Sequence, residues 1–438
     1  METVDIRSVT PGRRLARPVF GQDGVLIFPP GLVLTPEHLE LLLQRGVNAL
    51  VLLPEGQAGG TPAVGRTRAP ARQSAYPAPG HFGDKTTQAL PDNGESLEEK
   101  VRNAVAKRFS LLGTSEESIK ILFNLAVERQ LKIVRDKQGR LPTSLTGLID
   151  PPKCVCPPRV SMGRLLETSH RMGTLPLIFH RLIEMINKPV VNSEELAKII
   201  STDPAMTAKL LKLVNSPFFG LAYKIDTISR AVIIVGTKQL VMLSLGATVV
   251  SAFKGLSASH VNVQAYWLHS ISCAAACRLL CGVNNVKSPE GFFVAGLLHD
   301  IARLLIYTQL PSHAQYILSE SSSRGVPMHA IEREALGYTH EELGAELLSV
   351  WNCSADLVQR VFKHHQVLPE NCSVEDVILP AANMISQALG YGSSGEILLP
   401  PLPGFALDKA GLYSSNILSF CNDLDTHVLS LMSMFSGG

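Results

Sequence analysis

The sequence predicts a mainly α protein: an all-helical domain preceded by a small N-terminal α/β unit. Three observations carry this. Apolar residues recur at helical spacing through most of residues 159–370. Strand-like runs are confined to the first 55 residues. Between the two regions lies a stretch rich in Pro and Gly with no hydrophobic period. The 438 residues suit two or three domains at about 150 residues each. With 45% hydrophobic and 18% charged residues, the chain can bury a core, which excludes global disorder. Aromatics are only 6%, so that core is aliphatic. Forty Lys+Arg against 38 Asp+Glu leave a net charge of +2, which offers no general attraction to nucleic acid or an acidic surface.

The N-terminal unit is expected over residues 1–55. Val19 to Phe28 reads as two short strands around Asp23-Gly24, a dipeptide suited to a tight hairpin turn. Thr35-Pro36 combines an N-cap with Pro at the first helical position. The helix continues through Leu39, Leu42 and Leu43 to Gly46. A strand from Ala49 to Leu53 ends at Pro54. Residues 56–95 are expected to be a disordered linker, because such a segment buries too little surface to offset its ordering entropy.

Helical patterning resumes in a connector over residues 96–158, with Ile119, Leu122, Phe123 and Val127 on one stripe. Gly139 and Pro142 break it. Cys154 and Cys156 follow in a loop; a single Cys-x-Cys lacks the four ligands of a tetrahedral zinc site. In the 159–370 region, Asn192 and Asp203 are expected to cap consecutive helices, the second with Pro204 at its first position. Met206, Leu210 and Leu213 form its apolar stripe, and Pro217 forbids continuation. The next amphipathic helix runs from near Ser229 to Gly236. The charge-free stretch from Gln239 to Phe253 is 15 residues long, too short to cross a bilayer comfortably, and reads as a buried helix. Residues 371–438 read as a helical extension containing a Gly- and Pro-rich loop from Gly390 to Pro403. The acidic N-terminus is unlike a secretory signal, and eight dilute cysteines suit reduced thiols. A cytoplasmic location is therefore expected, with no membrane partner.

Histidines supply the chemistry. Eight of the 13 lie between 260 and 365: His260, His269, His299, His313, His329, His340, His364 and His365. His299-Asp300 follows the apolar run Phe292 to Leu298. His340 precedes Glu341-Glu342 on a new helix, and His364-His365 close another. Imidazole and carboxylate together suit Zn, Fe or Mn. Scattered structural histidines are the competing reading, and protonation of His364-His365 at a helix C-terminus would itself be stabilising. Cys273, Cys277 and Cys281 share a helix face with His269, either as core filler or as thiolate ligands. Neither a Walker-type phosphate loop nor a Gly-x-Ser-x-Gly elbow is present.

Several segments in order resemble the HDOD domain, the HD-related output domain of bacterial signalling proteins. They are Gly173-Thr174-Leu175-Pro176, Thr202 to Leu211, Asn215 to Gly220, Ile228 to Gly236, Trp267-Leu268-His269-Ser270, Ala295 to Ile301, and His340 to Ala345 with Trp351. The first 55 residues are weakly similar, at Val9 to Gly12, Leu26 and Gly31, to the small domain ahead of HD-GYP phosphodiesterases. The resemblance implies an all-helical HD-like fold and a regulatory role toward other signalling proteins. It carries His269, His299, Asp300, His340, His364 and His365 onto metal-ligand positions for a divalent Fe, Mn or Zn. The distal Asp of true HD enzymes is replaced by Asn383, a neutral and weaker ligand, which argues against turnover. Arg303 stands where the phosphodiesterases carry Lys and offers a bidentate phosphate grip. The expected function is thus a non-catalytic interaction module, with a metal-dependent phosphohydrolase acting on a nucleotide or cyclic dinucleotide as the alternative.

Overall fold

A computed structural model describes residues 2–10, 13, 15, 19–20, 26–28, 34, 36, 39, 42–43, 47, 49–52, 87–88, 95–112, 116–136, 141–142, 154–169, 177–186, 192–216, 219, 221, 223–253, 260–287, 289–366 and 368–436. The chain divides into two compact units, Met1–Ala75 and Tyr76–Gly438.

In the first unit, Val19–Phe20 pairs antiparallel with Leu26–Phe28, where two strands were expected. Glu2–Asp5 forms a strand that the sequence reading lacked. It pairs with Ala49–Leu52, Glu2 opposite Leu52 and Asp5 opposite Ala49. Its only aliphatic residue is Val4, so no apolar alternation marked it. Pro36, Leu39, Leu42 and Leu43 are helical as predicted. Ile6, Leu15, Val19, Leu34, Leu42, Leu50 and Leu52 form an aliphatic core. The Asp23-Gly24 turn, Thr35 and Gly46 lie outside the described residues. So do residues 56–86 and 89–94 of the predicted linker, while Thr87–Gln88 pairs with Leu141–Pro142.

The second unit is helical. Local chemistry sets its helix boundaries. Ser96 caps Leu97–Arg108 through a reciprocal box with Glu99. Asn192 caps Ser193–Ser201, accepting from the Glu194 and Glu195 amides. Asp203 caps Pro204–Val214 with Pro at the first position, and Thr227 caps Ile228–Val235. Gly236, at φ 97°, ends that helix, and the chain turns by 118° into the buried helix Thr237–Phe253. The Gly173 to Pro176 segment lies outside the described residues.

The helix Val263–Val283 is the axis of this unit. It packs against Pro289–Leu298, Val374–Ala388 and Ile417–Ser436. Pro289–Leu298 comes close at Gly296, where an added Cβ would lie 2.7 Å from the Ala274 Cα; only glycine fits. Cys273, Cys277 and Cys281 are buried core thiols on this axis. One continuous aliphatic core runs from Val101 in the predicted connector to Met432 in the predicted extension. Among the described residues, Pro289–Gln309 also has the length and hydropathy of a membrane span, but its most apolar window is 89% buried inside the protein.

Candidate metal centre

Four helix termini and the interior of the axial helix converge on one carboxylate. Asp300 and His299 occupy the turn between Pro289–Leu298 and Ile301–Gln309. His269 projects from the axial helix, one turn before the Cys273–Ala274 backbone that meets Gly296. His340 is the first residue of His340–Val350, whose start is fixed by a capping box between Thr339 and Glu342. His364 caps the C-terminus of Ala355–Lys363, and His365 follows.

The two oxygens of Asp300 serve different histidines. Oδ2 lies 3.3 Å from His299 Nε2 and 3.7 Å from His269 Nε2, and those two nitrogens are 3.3 Å apart. Oδ1 lies 3.1 Å from His340 Nε2 and 3.9 Å from His364 Nε2, again with 3.3 Å between the nitrogens. Backbone carbonyls orient two of the rings: His299 Nδ1 donates to Gly296 O at 2.8 Å, and His364 Nδ1 donates to Val361 O at 2.6 Å. Their Nε2 lone pairs therefore face the centre. His340 Nδ1 donates instead to Glu332 Oε2 at 2.7 Å, which also accepts the His340 backbone N–H.

Burial sets the charge states. It presses the His269 imidazole down to about 3, helped by neighbouring His299, and presses His364 down to about 3 in the same way. The expected stabilisation of protonated His364-His365 at the helix end is thereby overturned: burial and the adjacent rings hold both neutral. Burial and Arg303 also oppose the charged form of His340, but Glu332, Glu341 and Asp300 outweigh them and raise it to about 10. Burial disfavours ionised Asp300, yet Arg303 and His299 hold it well below the usual carboxylate range.

Arg303 has no free face for a phosphate. Its guanidinium is 1% exposed. Nη1 donates to Ser394 Oγ at 2.9 Å and to Asp300 Oδ2 at 3.4 Å; Nε donates to Glu332 Oε1 at 3.3 Å; Nη2 lies 3.7 Å from Glu396 Oε2. The expected bidentate phosphate grip is corrected accordingly: three carboxylates already claim this cation. Ser394 and Glu396 come from the Gly390–Pro403 loop, which docks on the axial helix. Gly392 makes this possible with φ 66°, and any side chain there would strike the Ala265 carbonyl. Glu396 also accepts the Met328 backbone N–H.

Sequence reasoning missed Glu332, Ser394 and Glu396. Glu332 precedes His340 across the Gly337 turn, and the other two sit in a loop with no period. Asn383 is buried on Val374–Ala388, and neither amide atom has a hydrogen-bond partner among the described residues.

The donors suit a metal. Asp300, His340, His364 and His365 offer ligand atoms within 4.8 Å of one another, as do His269, His299 and Asp300. His365 has two buried ring nitrogens without a hydrogen-bond partner. Neutral His269, His364 and His365 beside an ionised carboxylate are donors for Fe, Mn or Zn, and His340, raised to about 10, would give up its proton to join them.

The HDOD domain family matches residues 172–367. These residues form an HDOD domain. The match includes none of the first 55 residues. An uncharacterized protein of Treponema pallidum is 26% identical over 202 residues, 45% of this chain and 39% of that protein, so the likeness spans well under half of the relative's length. Among solved structures, a proposed phosphohydrolase from Shewanella amazonensis superimposes with a TM-score of 0.50 at 22% identity, covering 63% of this chain and all of that one. An HDOD domain protein of unknown function from Geobacter sulfurreducens gives 0.45 at 21%, covering 60% and 96%. At 22% identity the first of these likenesses speaks for the fold alone.

Proposed function

We propose that this HDOD protein is a cytoplasmic signalling component that works by binding other signalling proteins, and that its His/Asp centre holds a divalent metal as part of the scaffold without turning over a phosphoester. The observation that carries the reading is the combination of complete burial and a committed cation. His269, His299, Asp300 and His340 are all 0% exposed, and Arg303 is spent on Asp300, Glu332 and Glu396. Asp300, His340 and His364 would hold the ion, with His269 and His299 on the other carboxylate oxygen. A bound divalent ion supplies Lewis acidity toward water or a phosphoester. The protein's own groups do the rest: Glu332 sets the His340 ring, two carbonyls set His299 and His364, and the apolar helices exclude water. Asn383 contributes no charge where an HD enzyme has its distal Asp.

One observation favours the alternative, a metal-dependent phosphohydrolase for a nucleotide or cyclic dinucleotide. A groove of about 420 Å³ between Ala355–Lys363 and Val374–Ala388 reaches His364. Its charges do not suit a phosphate. Asp356, Glu375 and Asp376 outnumber Arg360 and Lys363 along its walls. Arg360 also stacks 3.9 Å over the Phe292 ring.

The test is a phosphoester panel, mono-, di- and cyclic dinucleotide, with protein loaded in turn with Fe, Mn and Zn. Product should not exceed that of Asp300→Asn. Product lost specifically in Asp300→Asn would establish the hydrolase instead. Partner binding, measured in parallel, should survive His299→Gln with Asp300→Asn.

A further inference from the structure

Outside the centre described above, a second set of donors stands at its rim. His329 lies in the first turn of Met328–Leu336, Glu341 in the first turn of His340–Val350, and His365 just past Ala355–Lys363. Three helix termini thus bring two imidazoles and a carboxylate to one place. Their ligand atoms lie within 4.8 Å of one another. The His329 and His365 rings stack, with centroids 5.2 Å apart and planes at 23°.

The imidazole donors are unclaimed, while Glu341 is shared with His340, its Oε2 lying 3.3 Å from His340 Nδ1. His329 Nδ1, both His365 nitrogens and Glu341 Oε2 are buried atoms with no hydrogen-bond partner among the described residues. Glu341 itself is only 7% exposed. Unpaired polar atoms are costly when buried, so several together in one spot call for a partner. Water can bridge several of them through hydrogen bonds. A cation accepts lone pairs from all three. Two imidazoles and one carboxylate are a borderline-soft set, suited to Zn and its neighbours rather than to Mg or Ca. Zn–N and Zn–O bonds near 2.0–2.1 Å put tetrahedral ligands about 3.3 Å apart. The three groups would need to close by at most about 1.5 Å, within the reach of side-chain rotation.

We infer that His329, Glu341 and His365 form a second, outer site for a divalent transition cation, distinct from the Asp300 centre. His329 and His365 are partly exposed residues, nearer the surface than the fully buried inner set, although their unpartnered ring nitrogens are themselves buried. Three protein ligands leave a position for water or an outside donor, the arrangement of an open rather than a closed site. His365 is within reach of both sets. The ring stack on His329 assigns it to the outer ion, which leaves Asp300, His340 and His364 to the inner one. Glu341 lies between the two, its Oε2 3.3 Å from His340 Nδ1. A cation here would clamp three helix termini on one side of the domain, and its exchange with solvent would report external metal to the partner-binding scaffold.

The experiment uses the full chain, stripped with a chelator, reloaded with Zn²⁺, desalted and assayed for bound metal per chain. His329→Gln and Glu341→Gln should each lower the count by about one equivalent and leave the Asp300-dependent metal in place. Asp300→Asn should keep the outer equivalent. Co²⁺ loading gives an independent readout: a visible absorption component present in Asp300→Asn and absent from His329→Gln. Circular dichroism checks that each variant is folded. Zn²⁺ and Co²⁺ uptake by folded His329→Gln equal to wild type would overturn the outer site. Loss of all metal in Asp300→Asn would overturn it as well, by tying every ion to the inner centre. Metal bound only at the outer site would instead refute the inner one.

Discussion

The two sides of Asp300 use the same residue types and are built differently. On the Oδ1 side, His340 is backed by Glu332, with Glu341 also beside its ring, and Arg303 ties Asp300, Glu332 and Glu396 together. On the Oδ2 side, His299 is oriented by a backbone carbonyl, and His269 Nδ1 has no hydrogen-bond partner among the described residues. The distal position that the HDOD resemblance assigns to this neighbourhood holds Asn383. One side carries several carboxylates; the other shares a single one. Ligand basicity and orientation rest on such outer partners. The His340/His364 side should therefore bind a divalent ion more tightly than the His269/His299 side.

Removing the shared carboxylate should have the largest effect. Asp300→Ala leaves the buried Arg303 short of a partner and removes the ligand common to both sides. Breaking a buried charge network in this way costs about 3–5 kcal/mol, to be read as a lower melting temperature of metal-stripped protein. Glu332→Gln should come next. It weakens support for His340 and should lower metal affinity on the Oδ1 side by about 10–100-fold, measured by competition with a chromophoric chelator. An equal loss on both sides would break the comparison.

The pH dependence separates the same groups. In metal-stripped protein, His269 and His364 stay neutral down to about 3, whereas the unfolded chain protonates its histidines near 6.5. The unfolded state then binds more protons, so stability falls as pH drops from about 6.5 toward 3. His340 acts in the opposite sense. Its pKa is raised to about 10, so its contribution is complete below about 6.5 and is lost as pH rises through about 10. Urea midpoints across this range should show both slopes. His269→Gln should flatten the acid limb, and Glu332→Gln the alkaline one. The smallest effect on metal content should come from Asn383→Asp, which restores the charge that the distal position carries in HD enzymes. It should raise metal affinity modestly while destabilising the metal-free chain, since an unpaired buried carboxylate is costly.

Much of this was legible in the chain itself. His299-Asp300 stands out because a charged pair ends an apolar helix, and Asn192 and Asp203 announce their helices by capping chemistry. The convergence of His269, His340 and His364 on Asp300 follows no local rule. It depends on the approach of two helices at Gly296 and on how far each neighbouring helix runs. Arg303 was misread because sequence shows a cation's reach and hides its partners; Glu332 and Glu396 come from other segments. His329 appeared as one histidine among eight, without a role, since its neighbours Glu341 and His365 are brought to it only by three helix ends. The Glu2–Asp5 strand was missed for a simpler reason: one aliphatic residue in four makes no pattern.

The most direct measurement is elemental metal content of the untagged protein, purified without chelators, beside Asp300→Asn prepared identically. The account predicts at least one equivalent of Fe, Mn or Zn in the wild type that is absent from the variant. Equal metal in both, or none in either, would contradict it and leave the buried histidines as scaffold alone.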